Sequence, residues 1–514
     1  MIIKIVMLVV FFAVLITVGI VCHKTSANVE GFVLGGRSVG PWLTAFAYGT
    51  SYFSAVIFVG YAGQFGWKFG VSSTWVGIGN AIIGSLLAWV LLARRTRLMT
   101  HKLDSKTMPD FFAKRYDSKS LRIGASVIIF IFLIPYTASL YNGLSRLFGM
   151  AFDVKYEYCI LAMAILTAIY VIAGGYMATA INDFIQGLIM LIGIVAVIVA
   201  VLNVNGGLAD SLDKLSDIEG EYKAGAFTDL FGPKPLDLLF VVILTSLGTW
   251  GLPQMVQKFY AIKDEKAVMR GTIISTVFAV IVAGGCYFLG GFGRLFVTGD
   301  ATVEKGGAIV PVAGFDSIVP EMLTHLSDIL IAVVVILVLS ASMSTLSSLV
   351  LTSSSTLTLD FIGTSVKKDM NEKQKVTCMR VLVLVFIAIS AALALYQYNK
   401  AVTFIAQMMG VSWGALAGSF LAPFLFGLYW KGASKAAVWV NFVLSASFMT
   451  FVAINNVFEL NILNKFADGF FASPINSGAI AMLAGFIIVP AVSAFTSKPE
   501  EKKVKEIMAS VAKN

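Results

Sequence analysis

The chain has 514 residues, 58% of them hydrophobic and 13% charged, and a mean hydropathy of +0.86. No soluble domain of this size needs that much apolar material to fill a core, so the composition excludes a soluble protein and leaves a polytopic membrane protein. The net charge of +9 raises nucleic acid as a partner, and the placement of the basic residues answers against it.

A membrane-crossing helix needs about 20 apolar residues. Thirteen stretches qualify, near 3–22, 42–66, 71–93, 121–145, 156–174, 184–202, 235–257, 272–293, 328–358, 378–396, 402–428, 436–455 and 477–496. The first is followed by "VCHKTSANVEGF" rather than a small-residue cleavage site, so it reads as a retained span. With an odd number of spans the termini lie on opposite sides. The C-terminal side then holds 27 of the 38 Lys and Arg residues, crowded between Arg94 and Arg122 and in the tail. Excess positive charge marks the cytoplasmic side, which predicts an N-terminus outside, a C-terminus in the cytoplasm, and lipid rather than nucleic acid as the partner. The charged tail, 498–514, is expected to be solvated, with a short amphipathic helix at the inner membrane surface as the alternative. Cys22, Cys159, Cys286 and Cys378 have neither metal-type nor paired spacing. His23, His101 and His325 fall in or beside loops without a nucleophile constellation, so an enzyme is not expected.

Two spans carry helix breakers. In span two Gly49 sits beside Thr50 and Ser51, and in span seven Gly248, Gly251 and Pro253 fall within six residues. Glycine and proline are common in ordinary transmembrane helices, but these two spans each open a block of five, 2–6 and 7–11. An odd block size forces the blocks into opposite orientations, and paired broken helices in inverted repeats point to a secondary transporter with a midplane site. The expected organisation is a first span and loop (1–30), two five-helix repeats (31–203 and 204–430), two additional spans (431–497) and the tail.

Span six is preceded by Asp183 in "ATAINDFIQGLIM". Asp183 followed at the third residue by Gln186 resembles a capping box, while a carboxylate near a membrane helix also suits a cation; from spacing the two readings stand level. Span nine carries ten serines and threonines between Ser340 and Ser355, and no charge from Ile329 to Leu359. Ser340, Ser344, Ser348 and Thr352 form one slowly drifting stripe, flanked by Ala341, Thr345 and Ser347. Small hydroxyl residues pack helices closely. Ten exceed that need, and oxygen donors facing an unwound backbone suit a hard cation such as sodium.

Four stretches in order, "FVLGGRSVGPWLTAF" (32–46), "GGYMATAINDFIQ" (174–186), "PQMVQKFYA" (253–261) and "SMSTLSSLVLTSSSTLTLD" (342–360), resemble the sodium:solute symporter family, nearest in pattern to its proline-type branch. The resemblance implies an all-α fold with the inverted five-plus-five repeat of the leucine-transporter type. It also implies a sodium site formed by the carbonyls of Thr50, Phe53 and Ala341 with the hydroxyls of Ser344 and Thr345, and a second sodium set of Asp183, Ser344, Ser347 and Ser348. Ser51, Tyr52, Ser54, Thr249 and Trp250 are the candidates for solute contact. Proline symporters have an aspartate where this chain has Tyr52, and a tryptophan and a tyrosine where it has Thr245 and Thr249. The arginine that the sialic acid branch carries in span four is missing.

The resulting expectation is a plasma-membrane symporter that uses sodium to import a small organic solute, an amino acid or small carboxylate, by alternating access. A proton-coupled or uncoupled transporter on the same scaffold, with Asp183 as the proton carrier, is the alternative. A membrane solute sensor is a third reading, and it would be expected to carry an output domain after the last span.

Overall fold

The computed structural model describes residues 2–51, 53–152, 154–219, 221–305, 308–400, 405–497, 504 and 506–508. In chain order the principal helices are α1 (Ile2–Val21), α2 (Pro41–Thr50), α3 (Val56–Lys102), α4 (Met108–Tyr116), α5 (Lys119–Phe152), α6 (Tyr156–Val204), α7 (Pro235–Gly251), α8 (Pro253–Tyr260) and α9 (Glu265–Gly290). A two-stranded antiparallel hairpin follows, β1 (Thr302–Lys305) with β2 (Ala308–Pro311). Then come α10 (Asp328–Thr356), α11 (Glu372–Lys400), α12 (Ile405–Tyr429), α13 (Lys435–Val457) and α14 (Pro474–Phe495).

Among the described residues ten helices are long and apolar enough to cross a membrane, or eleven with the bent pair α7–α8. The sequence count of thirteen differs because two of them are very long, α3 at 47 residues and α6 at 49. At about 1.5 Å per residue each reaches roughly 70 Å, more than twice the ~30 Å hydrocarbon core. Each is interrupted by a glycine with positive φ. In α3 it is Gly70 (φ 63°), opening a 3₁₀ turn, and in α6 it is Gly175 (φ 55°, ψ −150°).

The ends of these helices follow local chemistry. Pro41 and Pro235 occupy first turns, where a missing N–H costs nothing. The Asp264 carboxylate accepts from Ala267 N at 2.7 Å, and Thr107 Oγ1 accepts from Asp110 N at 3.2 Å. Periphery and centre also differ in burial. α1 turns Ile3, Ile5, Val6, Val9 and Val10 outward, whereas every residue of α10 from Val334 to Thr356 is buried. That central helix packs on α5, α6 and α11 and decides what the other elements surround.

Two expectations change. Asp183 does not begin a helix: α6 leaves helical geometry at Gly175 and resumes at once, so Asp183 lies eight residues inside it, fully buried, without capping any first turn. The described part of the tail is amphipathic instead of wholly solvated: Val504, Ile507 and Met508 sit on one face at i, i+3 and i+4 and are buried, while Glu506 is exposed. Lys102 Nζ donates to Glu506 O there at 2.6 Å.

Candidate cation and solute site

The break in span two lies between α2 and α3. The backbone N–H that restarts the helix at Ala55 has no partner within its own helix, and Ser342 Oγ on α10 accepts it at 2.9 Å. The break in span seven has a different cause. Pro253 offers no N–H, and Leu252 before it is extended (φ −76°, ψ 122°), which bends α7 from α8 by 44°. The break in span two faces the hydroxyl-rich part of α10, and α8, beyond the break in span seven, reaches it through Gln257 and Lys258.

Of the ten hydroxyls of α10 between Ser340 and Ser355, three return only to carbonyls of their own helix: Ser347 to Ser344 O, Ser354 to Leu351 O and Ser355 to Thr352 O. That is the packing role expected of small residues. Five reach other elements. Ser342 meets the restart of span two, and Ser344 Oγ donates to Thr50 Oγ1 at 2.6 Å. Thr345 Oγ1 lies 3.1 Å from Thr50 O, 3.0 Å from Phe53 O and 3.1 Å from Ala341 O. Ser348 Oγ is 3.0 Å from Ser51 Oγ, and Thr352 Oγ1 donates to Gln257 Oε1 at 2.8 Å.

The Thr345 contacts are chemically lopsided. A hydroxyl has one hydrogen and two lone pairs, so it can serve one of three carbonyls well while its own lone pairs face the other two. Thr50, Ser344 and Thr345 are fully buried, and Phe53 and Ala341 nearly so. Three carbonyl oxygens converge on the Thr345 hydroxyl, and a fifth neutral oxygen, the Ser344 hydroxyl, stands one residue away against Thr50 Oγ1. A dehydrated monovalent cation satisfies such an arrangement better than a single proton does.

The second set gathers only in part. Ser347 is turned to its own helix. The Ser344 hydroxyl faces Asp183, whose oxygens accept no hydrogen bond from a described residue. The group nearest Asp183 in charge terms is one the sequence reading did not weigh: Lys258 Nζ on α8, 3.7 Å from Asp183 Oδ2, with both side chains buried. Lys258 Nζ also donates to Ser348 Oγ at 2.9 Å and lies 5.1 Å from the centre of the Tyr176 ring.

The solute candidates fall in two groups. Ser51 bonds Ser348 and the Ala47 carbonyl, and Ser54 Oγ accepts from Val56 N at 3.2 Å. On α7, Thr249 Oγ1 donates to Gly84 O at 3.0 Å and Trp250 Nε1 to Ile83 O at 2.9 Å, both on α3. Tyr48 Oη donates to the same Gly84 carbonyl at 2.8 Å, which ties the two breaks together. Tyr52 lies outside the described residues. Sequence reasoning passed over Gln254, at the start of α8, although it stands in a quoted motif. It is 1% exposed, and neither its Oε1 nor its Nε2 has a hydrogen-bond partner among the described residues.

A cavity of about 740 Å³ opens beside the hairpin, lined by Asn142, Arg146, Tyr156, Asp316, Gln397 and Tyr398 among others. Asn142 Nδ2 donates to Gln397 Oε1 at 3.1 Å. Asp316, in a turn beyond the spans, pairs with Arg146 at 3.9 Å and accepts from Ile405 N at 3.3 Å. Burial raises its carboxyl above the ordinary range, against the pull of Arg146 and that N–H.

These broken helices and their oxygen-lined junction define a membrane transporter, and the chain belongs to the sodium:solute symporter family, whose model matches residues 32–443. It is 30% identical over 518 residues to the sodium/proline symporters of Staphylococcus aureus strains JH9 and NCTC 8325 / PS 47, covering 97% of this chain and 93% of those relatives. In structure it is similar to a Na⁺-coupled sialic acid symporter in a substrate-bound outward-open state, with a TM-score of 0.71, 16% identity, and coverage of 97% of this chain and 99% of the other. It is also similar to the inward-facing conformation of Mhp1, with a TM-score of 0.52, 14% identity, and coverage of 92% and 95%. The fold is the leucine-transporter type expected from the sequence. Family membership makes the protein an integral membrane transporter that couples solute movement to sodium.

Proposed function

We propose that the protein imports an amino acid or small carboxylate into the cell together with sodium, from a plasma membrane in which the N-terminus is outside and the C-terminus cytoplasmic. The observation that carries the proposal is the Thr345 hydroxyl lying within 3.1 Å of the Thr50, Phe53 and Ala341 carbonyls. Sodium would be held by those three carbonyls with the Ser344 and Thr345 hydroxyls. Two of the carbonyls belong to the break in span two, so the ion would hold that break against α10.

The solute would bind beside it, between the breaks of spans two and seven. Ser51, Tyr52, Ser54, Thr249 and Trp250 are the candidate contacts, joined by Gln254, whose buried amide carries a cost of about 1–3 kcal/mol until a polar partner meets it. A solute carboxylate would be held by amides at the half-helix starts rather than by a fixed cation. The repeats 31–203 and 204–430 would rock against each other to open the site inward. The proline named for the relatives falls within this solute class, and Tyr52, Thr245 and Thr249 are the positions at which selection would differ. One ion moving through ~100 mV supplies roughly 2.3 kcal/mol, and a tenfold gradient adds about 1.4 kcal/mol. Together they support about 500-fold accumulation.

The test is uptake of labelled amino acids and short monocarboxylates into proteoliposomes, with and without an inward sodium gradient. Uptake of one of them that depends on sodium is expected. Uptake indifferent to sodium would refute the reading in favour of a proton-coupled or uncoupled carrier.

A further inference from the structure

A cation already stands where the second sodium set converges. Lys258 Nζ donates to Ser348 Oγ at 2.9 Å, lies 3.7 Å from Asp183 Oδ2 and sits over the Tyr176 ring at 5.1 Å. Lys258 is 2% exposed, Asp183 0% and Ser348 3%. The donor set therefore does not fit a second ion. One of its hydroxyls, Ser348, accepts from the ammonium, and another, Ser347, donates to its own helix.

We infer that the side-chain ammonium of Lys258 is a tethered replacement for the second sodium ion, so that the transporter binds one sodium per chain; this rests on the symport reading above. Asp183 then serves as a counter-ion and not as a sodium ligand. Burial makes each member of the pair need the other, since an isolated buried charge is heavily penalised. A sodium ion entering the same space would bring a second positive charge against a single carboxylate. Two unit charges about 4 Å apart at an effective dielectric near 20 repel strongly enough to weaken binding by roughly a thousandfold.

The tether also has a mechanical consequence. Lys258 belongs to α8, the second half of broken span seven, and it bonds Ser348 on α10. Ser348 in turn contacts Ser51, the residue after Thr50 in broken span two. A sodium ion that comes and goes would make that link optional, whereas a lysine keeps it throughout the cycle. Both broken spans are thereby joined to α10 on the Asp183 side, and the first sodium closes the other side.

The experiment is equilibrium binding of ²²Na⁺ to the purified full chain in detergent, read as ions per chain at saturation, with native protein, Lys258→Met and Asp183→Asn. One ion is expected in the native protein, two in Lys258→Met, where the carboxylate is freed, and one in Asp183→Asn. Two ions in the native protein would overturn the inference and leave sodium symport standing. One ion in a folded Lys258→Met would also overturn it. If Lys258→Met does not fold, Asp183→Asn decides: loss of an ion relative to native overturns the inference, and an unchanged count of one supports it. No saturable sodium in the native protein would overturn the symport reading and the inference with it.

Discussion

Replacing Thr345 by valine keeps the shape of the side chain and deletes the hydroxyl that faces the Thr50, Phe53 and Ala341 carbonyls at 3.0–3.1 Å. At the proposed sodium site the change would remove one neutral oxygen ligand of five. An interaction between a neutral dipole and a charged group is worth about 1.5–3 kcal/mol net, so the sodium concentration for half-maximal uptake should rise roughly 10- to 150-fold. Thr345→Ser keeps the oxygen and should stay near native. Uptake of labelled solute at varied sodium in proteoliposomes measures both. A second readout needs no solute: sodium at about 100 times its dissociation constant stabilises a one-site protein by roughly 2.7 kcal/mol. That sodium-dependent stabilisation should fall to roughly 0.3–1.4 kcal/mol in Thr345→Val at the same concentration, with a correspondingly smaller rise in unfolding temperature. The reasoning is refuted if Thr345→Val retains the native sodium dependence in both assays, since the three carbonyls would then be serving the hydroxyl and not an ion.

Other sites give independent outcomes. Gly175→Ala should lower stability by about 1–3 kcal/mol, measured by thermal unfolding in detergent, because φ 55° with ψ −150° suits glycine alone and a Cβ would approach Phe32 Cα and O to 3.1 Å. Asp360 is fully buried and accepts from Arg122 Nε and Thr107 Oγ1, each at 2.6 Å. Asp360→Ala should therefore cost about 3 kcal/mol, while Asp110→Ala, whose Arg122 contact is 3.4 Å, should cost less in the same assay. The carboxyl of Asp316 is raised by burial, so the folded chain takes up that proton more readily than the unfolded one. Stability from this group is gained as pH falls from neutral toward the ordinary carboxylate range and is lost as pH rises. Asp316→Asn should flatten that part of the profile of unfolding temperature against pH, and an unchanged profile would count against the assignment. Gln254→Ala should raise the KM for solute several-fold while leaving the half-maximal sodium concentration near native.

What the sequence made legible is what a single helix carries. The hydroxyl stripe of α10 repeats at three and four residues, so its face could be drawn without a neighbour. Its counterpart needed only the breakers after Gly49. The residues 175–183 misled for the same local reason. "GYMATAIND" is polar enough to look like a loop in a hydropathy reading, yet only Gly175 leaves helical geometry and the polar side chains turn into protein instead of water. Asp183 was accordingly expected at a helix start, eight residues from where the break lies. The solute candidates were harder still. Thr249 and Trp250 have the right types at the right break, but both donate to backbone carbonyls of α3, and that partner lies about 165 residues away in the chain.

Lys258 shows why charge is the least legible feature of such a chain. A lysine at the end of an apolar stretch ends the span in any hydropathy reading, because an unpaired ammonium in hydrocarbon is costly. Span seven therefore closes at 257 and the residue counts as a loop charge. The helix continues to Tyr260 with Lys258 inside it, since the cost is offset by Asp183, 75 positions upstream (258 − 183) and on a different helix. Neither residue announces the other, and each taken alone suggests a different chemistry: Asp183 a cation ligand, Lys258 a surface charge. Together they change the energetics of the cycle. With one sodium per solute the driving force limits accumulation to about 500-fold at ~100 mV and a tenfold gradient. A second mobile ion would square that limit to roughly 250,000-fold. A tethered ammonium contributes no gradient of its own, so by filling the second set of oxygens it fixes the lower limit while keeping both broken helices bound to α10.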